Sequence, residues 1–305
     1  METMHFIIHL CYIEQEHTME KYLQEFQEIL AFRNYSPNTI KAYICYLRAY
    51  LDYLQNVLGK MPEEASWQEQ RDFIVWLQQT RCISDRTVNG VISQLRCFTI
   101  YVLHKPWDDF QLPKKKFQIP LPYVPSQEEV WYFLSAVPDL KYKTMFTLIY
   151  SAGLRASEVC RLKYEDISRE KMRIHIRHGK NHFSRYAVLS QQALELLTHY
   201  RRVYGRPMGY LFPTSANAEK PIHPTRLSEY IRIHADEMKL PHHLTCHSLR
   251  HAFGTHLYEN GVDLLTIKNL LGHRSLNSTT IYVHLAFNGR QIESPLDRMA
   301  QRHHE

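Results

Sequence analysis

The stretch LGHRSLNSTTIYVH, residues 271–284, sets a tyrosine shortly after a glycine and a histidine that close a helical pattern. Two readings of Tyr282 compete. In one, an amphipathic turn packs it under a helix, an ordinary fate in a chain with 20 tyrosines. In the other, it is presented as a nucleophile. A phenol has a pKa near 10, so it attacks only with help from a base or a positive field. Three other stretches hold groups of that kind: Arg155 in SAGLRASE, Lys180 in RHGKNHFSR, and His247 with Arg250 in HSLRHAFGTHLYENG. A helical wheel puts Leu249, Ala252, Phe253, His256 and Leu257 on one side of the last stretch, and His247, Arg250, His251 and Gly254 on the other. A mid-helix glycine costs roughly 1 kcal/mol relative to alanine, so Gly254 on the polar face predicts close approach of something bulky. The plainer alternative is a solvated polar face. Downstream, VDLLTIKNLL packs through Leu264, Ile267, Leu270 and Leu271 and stops at Gly272, leaving His273 aimed from a helix end. Asn277 or Ser278 then caps a further short helix, with Tyr282 one turn in.

These groups need a scaffold, and 305 residues are enough for two domains with separate cores. Apolar residues make up 44% and charged residues 22%, an ordinary balance for a globular protein. The net charge of +6, with 19 histidines in reserve, leans toward an anionic partner. SPNTIKAYICYLRAYLDYL opens with Ser36 as a cap and Pro37 at the first helical position, and its apolar residues recur at helical spacing. WQEQRDFIVWLQQT and SDRTVNGVISQLRCFTIYVL repeat that logic, which predicts an all-helical module over 18–106. Residues 107–125 carry repeated prolines, which predict an extended linker, and the triplet Lys114, Lys115 and Lys116, which is either solvated or laid along a phosphate backbone. A mixed, mostly helical domain follows over 126–305, opened by the capping-box pattern of Ser126 with Glu129. In it, Met172, Ile174 and Ile176 alternate with Arg173, His175 and Arg177, and a second strand carries Tyr186 and Val188 on one face. The pair predicts a hairpin with one apolar and one strongly basic face. The six cysteines are scattered without a CxxC pair and read as free thiols of a reducing, cytoplasmic setting. The apolar run in residues 1–17 is broken by His9 and fits neither a signal peptide nor a membrane span; no role is assigned to this extension.

The polar groups together resemble a family. AGLRASEVCRL is similar to the box around the first catalytic arginine of the tyrosine site-specific recombinases, or phage integrases, and within them the Xer-like members. HSLRHAFGTHL resembles their HxLRHxxxTHL box, and LGHRSLNSTTIYVH their LGH…TT..Y segment, in the same order over about 180 residues. The helical first domain resembles their SAM-like core-binding domain. The resemblance implies a mainly α protein: a helical N-terminal DNA-binding domain plus a catalytic domain with a small antiparallel hairpin or sheet. It implies that Tyr282 attacks a DNA phosphodiester and holds the 3′ end, while Arg155 and Arg250 grip the non-bridging oxygens, a bidentate task suited to guanidinium. Lys180 would be the general acid for the 5′ oxygen, His247 would assist proton transfer at the tyrosine, and His273 would hydrogen-bond the phosphate. Glu158 would orient Arg155, although an i,i+3 surface pair is the plainer option. DNA contacts would come from Lys114, Lys115, Lys116, Arg173, Arg177, Arg185 and His251. The usual GKGxKxR hairpin reads GKNHFSR here, with Asn181 at a glycine position and Phe183 at a lysine position, a departure that bears on the turn carrying Lys180. No metal or other cofactor is implied. The implied partners are double-stranded DNA with inverted-repeat core sites and three further copies in a homo-tetramer on synapsed DNA. A second recombinase or an accessory DNA-bending protein is also allowed. The implied setting is the bacterial cytoplasm at the nucleoid, and the tail NGRQIESPLDRMAQRHHE lies where such proteins often dock a helix on a neighbour.

Two alternatives stay open on sequence alone. A metal-dependent nuclease could use His247 and His251, spaced i,i+4, with His242, His243, His256 and His273 nearby. It lacks an HExxH and an acidic residue on that face. A DNA-binding protein without catalysis would be served equally well by the basic hairpin and the lysine triplet. The target sequence, and the choice between integration, excision, resolution and inversion, are not encoded in these motifs.

Overall fold

The structure, a computed structural model, describes residues 18–286 apart from 119, 178–183, 207–208, 215–218, 241–243 and 274, and only the backbone at 277, 284 and 286. The extension 1–17, the tail and the turn carrying Lys180 thus lie outside the described residues. The chain divides into two compact units, Met1–Ile119 and Pro120–Glu305.

The first unit is built from α1 (18–32), α2 (Pro37–Tyr53), α3 (Trp67–Arg81) and α4 (Asp85–Tyr101). Serine oxygens start three of them. Ser36 accepts from the Thr39 amide, Ser66 forms a capping box with Glu69, and Ser84 accepts from the Thr87 amide. Each cap satisfies an amide that has no partner inside the helix. The apolar stripes then bury Phe26, Leu30, Leu51, Phe73, Leu77, Leu95 and Phe98 in one core.

Several residues of the segment expected to be an extended linker pack against the described parts of the two units. Trp107 meets Trp67 edge-on at 5.1 Å between ring centroids, and Leu112 is 4% exposed within the first core. The amide of Lys115 donates to Asn89 Oδ1 (2.7 Å), and its carbonyl accepts from Asn89 Nδ2 (2.8 Å). Arg86 stacks its guanidinium on Phe117. The Lys115 ammonium lies 3.3 Å from Asp85, so one lysine of the triplet is already engaged, whereas Lys114 and Lys116 are exposed. On the other side, the Tyr123 hydroxyl donates to Glu129 (2.7 Å) and Pro125 is buried. Prolines forbid a helix but do not forbid packing, and an amide side chain can satisfy an extended backbone.

The second unit contains α5 (Gln127–Ala136), α6 (Leu140–Ala152), α7 (Ala156–Cys160), α8 (Gln191–Tyr204), α9 (Pro224–Glu237), α10 (Cys246–Glu259), α11 (Leu264–Leu271) and α12 (Ile281–Ala286). They accompany an antiparallel sheet of β1 (Ile167–Ser168), β2 (Arg173–Ile176) and β3 (Arg185–Val188) in that order. Helix α10 packs against α5, α6, α9, α11 and α12, so its residues are covered from several sides. In the β2–β3 ladder Ile174 faces Ala187 and Ile176 faces Arg185. The buried face therefore holds Ile174, Ile176, Ala187 and Arg185, and Tyr186 and Val188 stand exposed. This reverses the face expected for the second strand. Strand side chains alternate with period two, so a buried ion-paired arginine sends its apolar neighbours outward. Among the described residues no helix is long and apolar enough to cross a membrane.

Truncating Leu112 to alanine is expected to cost about 2–5 kcal/mol, as for a buried core leucine. Urea unfolding followed by tryptophan fluorescence checks this; a solvated linker would lose under about 0.5 kcal/mol.

Candidate active site

Helix α6 ends at Gly153, whose φ of 61° turns the chain into the left-handed region, and Arg155 then caps the short helix α7. Glu158, at the third position of α7, is buried. It accepts from the Arg155 amide through Oε2 (2.9 Å) and from Arg155 Nη1 through Oε1 (2.7 Å). Arg185 reaches in from β3 and takes both carboxylate oxygens at 2.8 Å, while its Nε donates to the Leu270 carbonyl (2.9 Å). Arg250 Nη1 lies 3.7 Å from the same carboxylate. Arg250 is 2% exposed and donates to the carbonyls of Gly153 and Leu271. Burial alone would push the Glu158 carboxyl up, but the Arg185 fork and Arg155 hold it at about 2. Burial and the charge of Arg155 pull Arg250 down to about 9 despite Glu158, so it stays charged at neutral pH.

The polar face of α10 is covered rather than solvated. Tyr282, at the second position of α12, lies against it with 1% exposure. A Cβ built on Gly254 would fall 2.6 Å from Tyr282 Cζ, so the bulky neighbour expected at this glycine is Tyr282 itself. The helix expected from Asn277 or Ser278 is broken in two: a 3-10 turn over Leu276–Ser278 precedes α12, and the Tyr282 amide donates to the Thr279 carbonyl. His273 stacks near-parallel to the Tyr282 ring at 6.2 Å, and its Nδ1 is 3.0 Å from Thr279 Oγ1. His251 meets Tyr282 edge-on at 5.9 Å and His247 at 4.3 Å, and its Nδ1 is buried without a hydrogen-bond partner. Burial pushes the Tyr282 phenol up to about 12 against the pull of Arg250 and Arg155. The histidines move the other way. Burial lowers His251 to about 4, with His247 and Arg250 adding, and His273 to about 3, with Arg250 and Arg155 adding; His247 is lowered by the same kind of causes.

Arg155, Glu158, His247, Arg250, His251, His273 and Tyr282 are thus brought together. Lys180 lies outside the described residues. Arg185 departs most from expectation: expected to contact DNA, it is buried on Glu158 because the strand's parity turns it inward. Arg177 is paired with Asp166 and Glu165 beside the sheet, and Arg173 is exposed. Thr279, fully buried beside His273, was not singled out from sequence; its only signal is its place in NSTT. Among the described residues no three of His, Cys, Asp and Glu gather as a metal-binding group.

Comparison with known proteins identifies the family. The phage integrase family model matches residues 126–289, and the model of the phage integrase N-terminal SAM-like domain matches residues 22–109. The chain belongs to the phage integrase family. A putative integrase/recombinase of Sinorhizobium fredii, y4qK, is 35% identical over 277 residues, covering 90% of this chain and 87% of that one. The tyrosine recombinase XerA of Pyrococcus horikoshii is 32% identical over 265 residues, covering 85% and 87%. Two solved structures share the fold at low identity. One is the XerH site-specific recombinase bound to its difH substrate, with TM-score 0.66, 22% identity and coverage of 82% and 78%. The other is a lambda integrase dimer bound to a core site, with TM-score 0.68, 17% identity and coverage of 85% and 96%. The protein is a tyrosine site-specific recombinase of the Xer-like kind.

Two outcomes follow for the recombinase's stability. Mid-helix Gly→Ala normally stabilises by about 1 kcal/mol. Gly254→Ala is expected to destabilise instead, because the new Cβ displaces the buried Tyr282 ring, and urea unfolding gives the sign. Unfolded histidines take up protons near pH 6.5, whereas folded His251 and His273 resist until about pH 4 and 3. The unfolded state binds more protons in that window, so stability must fall as pH drops from about 6.5 toward 4. The melting temperature is expected to follow that course, with a shallower fall in His251→Asn.

Proposed function

We propose that Tyr282 attacks a DNA phosphodiester, forming a 3′-phosphotyrosyl bond and releasing a 5′ hydroxyl. Attack by the 5′ hydroxyl of another strand then expels the tyrosine and joins the strands. The phosphodiester's bond energy is kept in the protein–DNA bond, so rejoining needs no nucleotide. The observation that carries the reading is the convergence of Arg250, Arg155, His273 and His251 on the buried ring of Tyr282, with His247 packed against His251.

Arg155 and Arg250 would hold the non-bridging oxygens and stabilise the phosphorane as its charge grows. Their side chains are oriented beforehand by Glu158 and by main-chain carbonyls, so little reorganisation is left for the reaction. His247, neutral at pH 7, is suited to accept the phenolic proton. His273 would donate to a phosphate oxygen while Thr279 fixes its other nitrogen. Lys180 would protonate the leaving 5′ oxygen. With its phenol at about 12, Tyr282 is a stored nucleophile that DNA engagement must bring over the phosphate. Lys114, Lys116 and Arg173, exposed on their respective units, would contact the backbone of a duplex. A tetramer on two synapsed inverted-repeat sites would supply two tyrosines to each duplex, with a second recombinase or a DNA-bending protein as further partners. The XerH and lambda integrase structures, solved on their own DNA sites, support a DNA partner for this fold.

The test is incubation with nicked duplexes carrying candidate inverted repeats, in EDTA, followed by a denaturing gel. Wild type is expected to give a covalent adduct, Tyr282→Phe none, and Arg250→Ala a rate lower by ~10²–10³. DNA retarded by the protein but never bound covalently would favour binding without catalysis. An adduct abolished by EDTA would point to a metal.

A further inference from the structure

We infer that Arg185 is a positioning residue: it joins strand β3, the Glu158 carboxylate and the last turn of α11 into one frame that sets Arg155, Arg250 and His273 together. This deepens the recombinase reading and rests on it for the identity of the phosphate. The side chain is 9% exposed, and each of its three nitrogens holds a protein partner, two on Glu158 and one on Leu270. Its work is therefore inside the protein.

The stem matters as much as the head. A Cβ built on Gly272 would fall 2.7 Å from Arg185 Cδ, and Gly272 has a φ of 65°. That glycine is admitted both for its left-handed backbone and for the space the arginine stem occupies. His273 is the next residue, so the packing of Arg185 under Gly272 fixes where the imidazole leaves α11. The carbonyls of Leu270 and Leu271, unpaired within α11, are taken by Arg185 and Arg250 respectively. Both guanidinium groups face Glu158, which also holds Arg155. The loop of contacts closes on itself. Arg185 is also the first residue of β3. A lysine cannot reproduce the frame, because one ammonium cannot span two carboxylate oxygens and a carbonyl in fixed planar geometry.

The test compares wild type, Arg185→Lys and Arg185→Met in single-turnover adduct formation at saturating nicked DNA, with affinity measured separately over a salt series. Misplacement by about 1 Å costs on the order of 10²-fold in rate. Arg185→Lys is expected to keep DNA affinity within about threefold of wild type on that view, while the rate constant of the bound complex falls ~10²-fold. Arg185→Met should fall at least as far. A purely stabilising role would reduce only the amplitude, the fraction of folded enzyme, and leave the rate constant alone; that result overturns the inference. So does a drop in affinity with a salt slope reduced by about one and an unchanged rate constant, the signature of a direct phosphate contact. If wild type itself forms no adduct, the recombinase reading fails separately. The frame is then judged by the His273 ring resonances, assigned with His273→Gln. A changed titration and chemical shift in Arg185→Lys supports it, and unchanged resonances overturn it.

Discussion

A carboxylate buried among three guanidinium groups is the constraint on which the second unit depends. Taking Glu158, Arg155, Arg185 and Arg250 out of water costs several kcal/mol per ion, and only close pairing offsets that. Arg185 neutralises the carboxylate through two parallel bonds and Arg155 through one, whereas Arg250 stands 3.7 Å away. One negative charge against three positive ones leaves a surplus of two in a poorly solvated place. A phosphodiester carries one negative charge and its pentavalent intermediate carries two. On the proposed reading, the cluster would be better matched to the state being formed than to the state being bound, the condition for catalysis by differential binding.

The same surplus explains the behaviour of the neighbouring groups. Three imidazoles and a phenol lie beside the arginines, and all are held neutral at pH 7: the imidazoles by burial and positive charge, the phenol by burial against that charge. Neutral imidazoles can accept or relay protons without adding repulsion. The packing that enforces this is simple. A glycine in α10 removes one side chain's thickness, and an aromatic ring from α12 fills the gap.

Much of this was legible in the residues. Serine caps and helical spacing gave α2, α3 and α4 nearly to the residue, because local capping and a 3.6-residue period are written in neighbours. Gly254 announced a close approach, and Tyr282 proved to be the group approaching. The misreadings share a cause. The DNA contact of Arg185 is expected from the family resemblance alone, and only the partner strand's register reveals that it faces Glu158, 27 positions earlier. The start of α12 was misplaced because capping residues in SLNSTT serve a 3-10 turn as readily as an α-helix. The packing of Leu112 was hidden because prolines report what the backbone cannot do, and nothing local reports what the side chains find.

That packing has a consequence for how the two units search DNA. Among the described residues, Lys115 and Phe117 are held on the first unit and Tyr123 on the second, so only residues 118–122 lie between these anchors. Fully extended, that stretch reaches roughly 18 Å. A tether so short keeps each unit at high local concentration near the other, so once one has landed on a duplex the other's encounter is nearly intramolecular. Residence on DNA should then exceed what either unit achieves alone, through geometry and with no added contact. Lengthening the chain at 118–122 would dilute that advantage while leaving both cores intact.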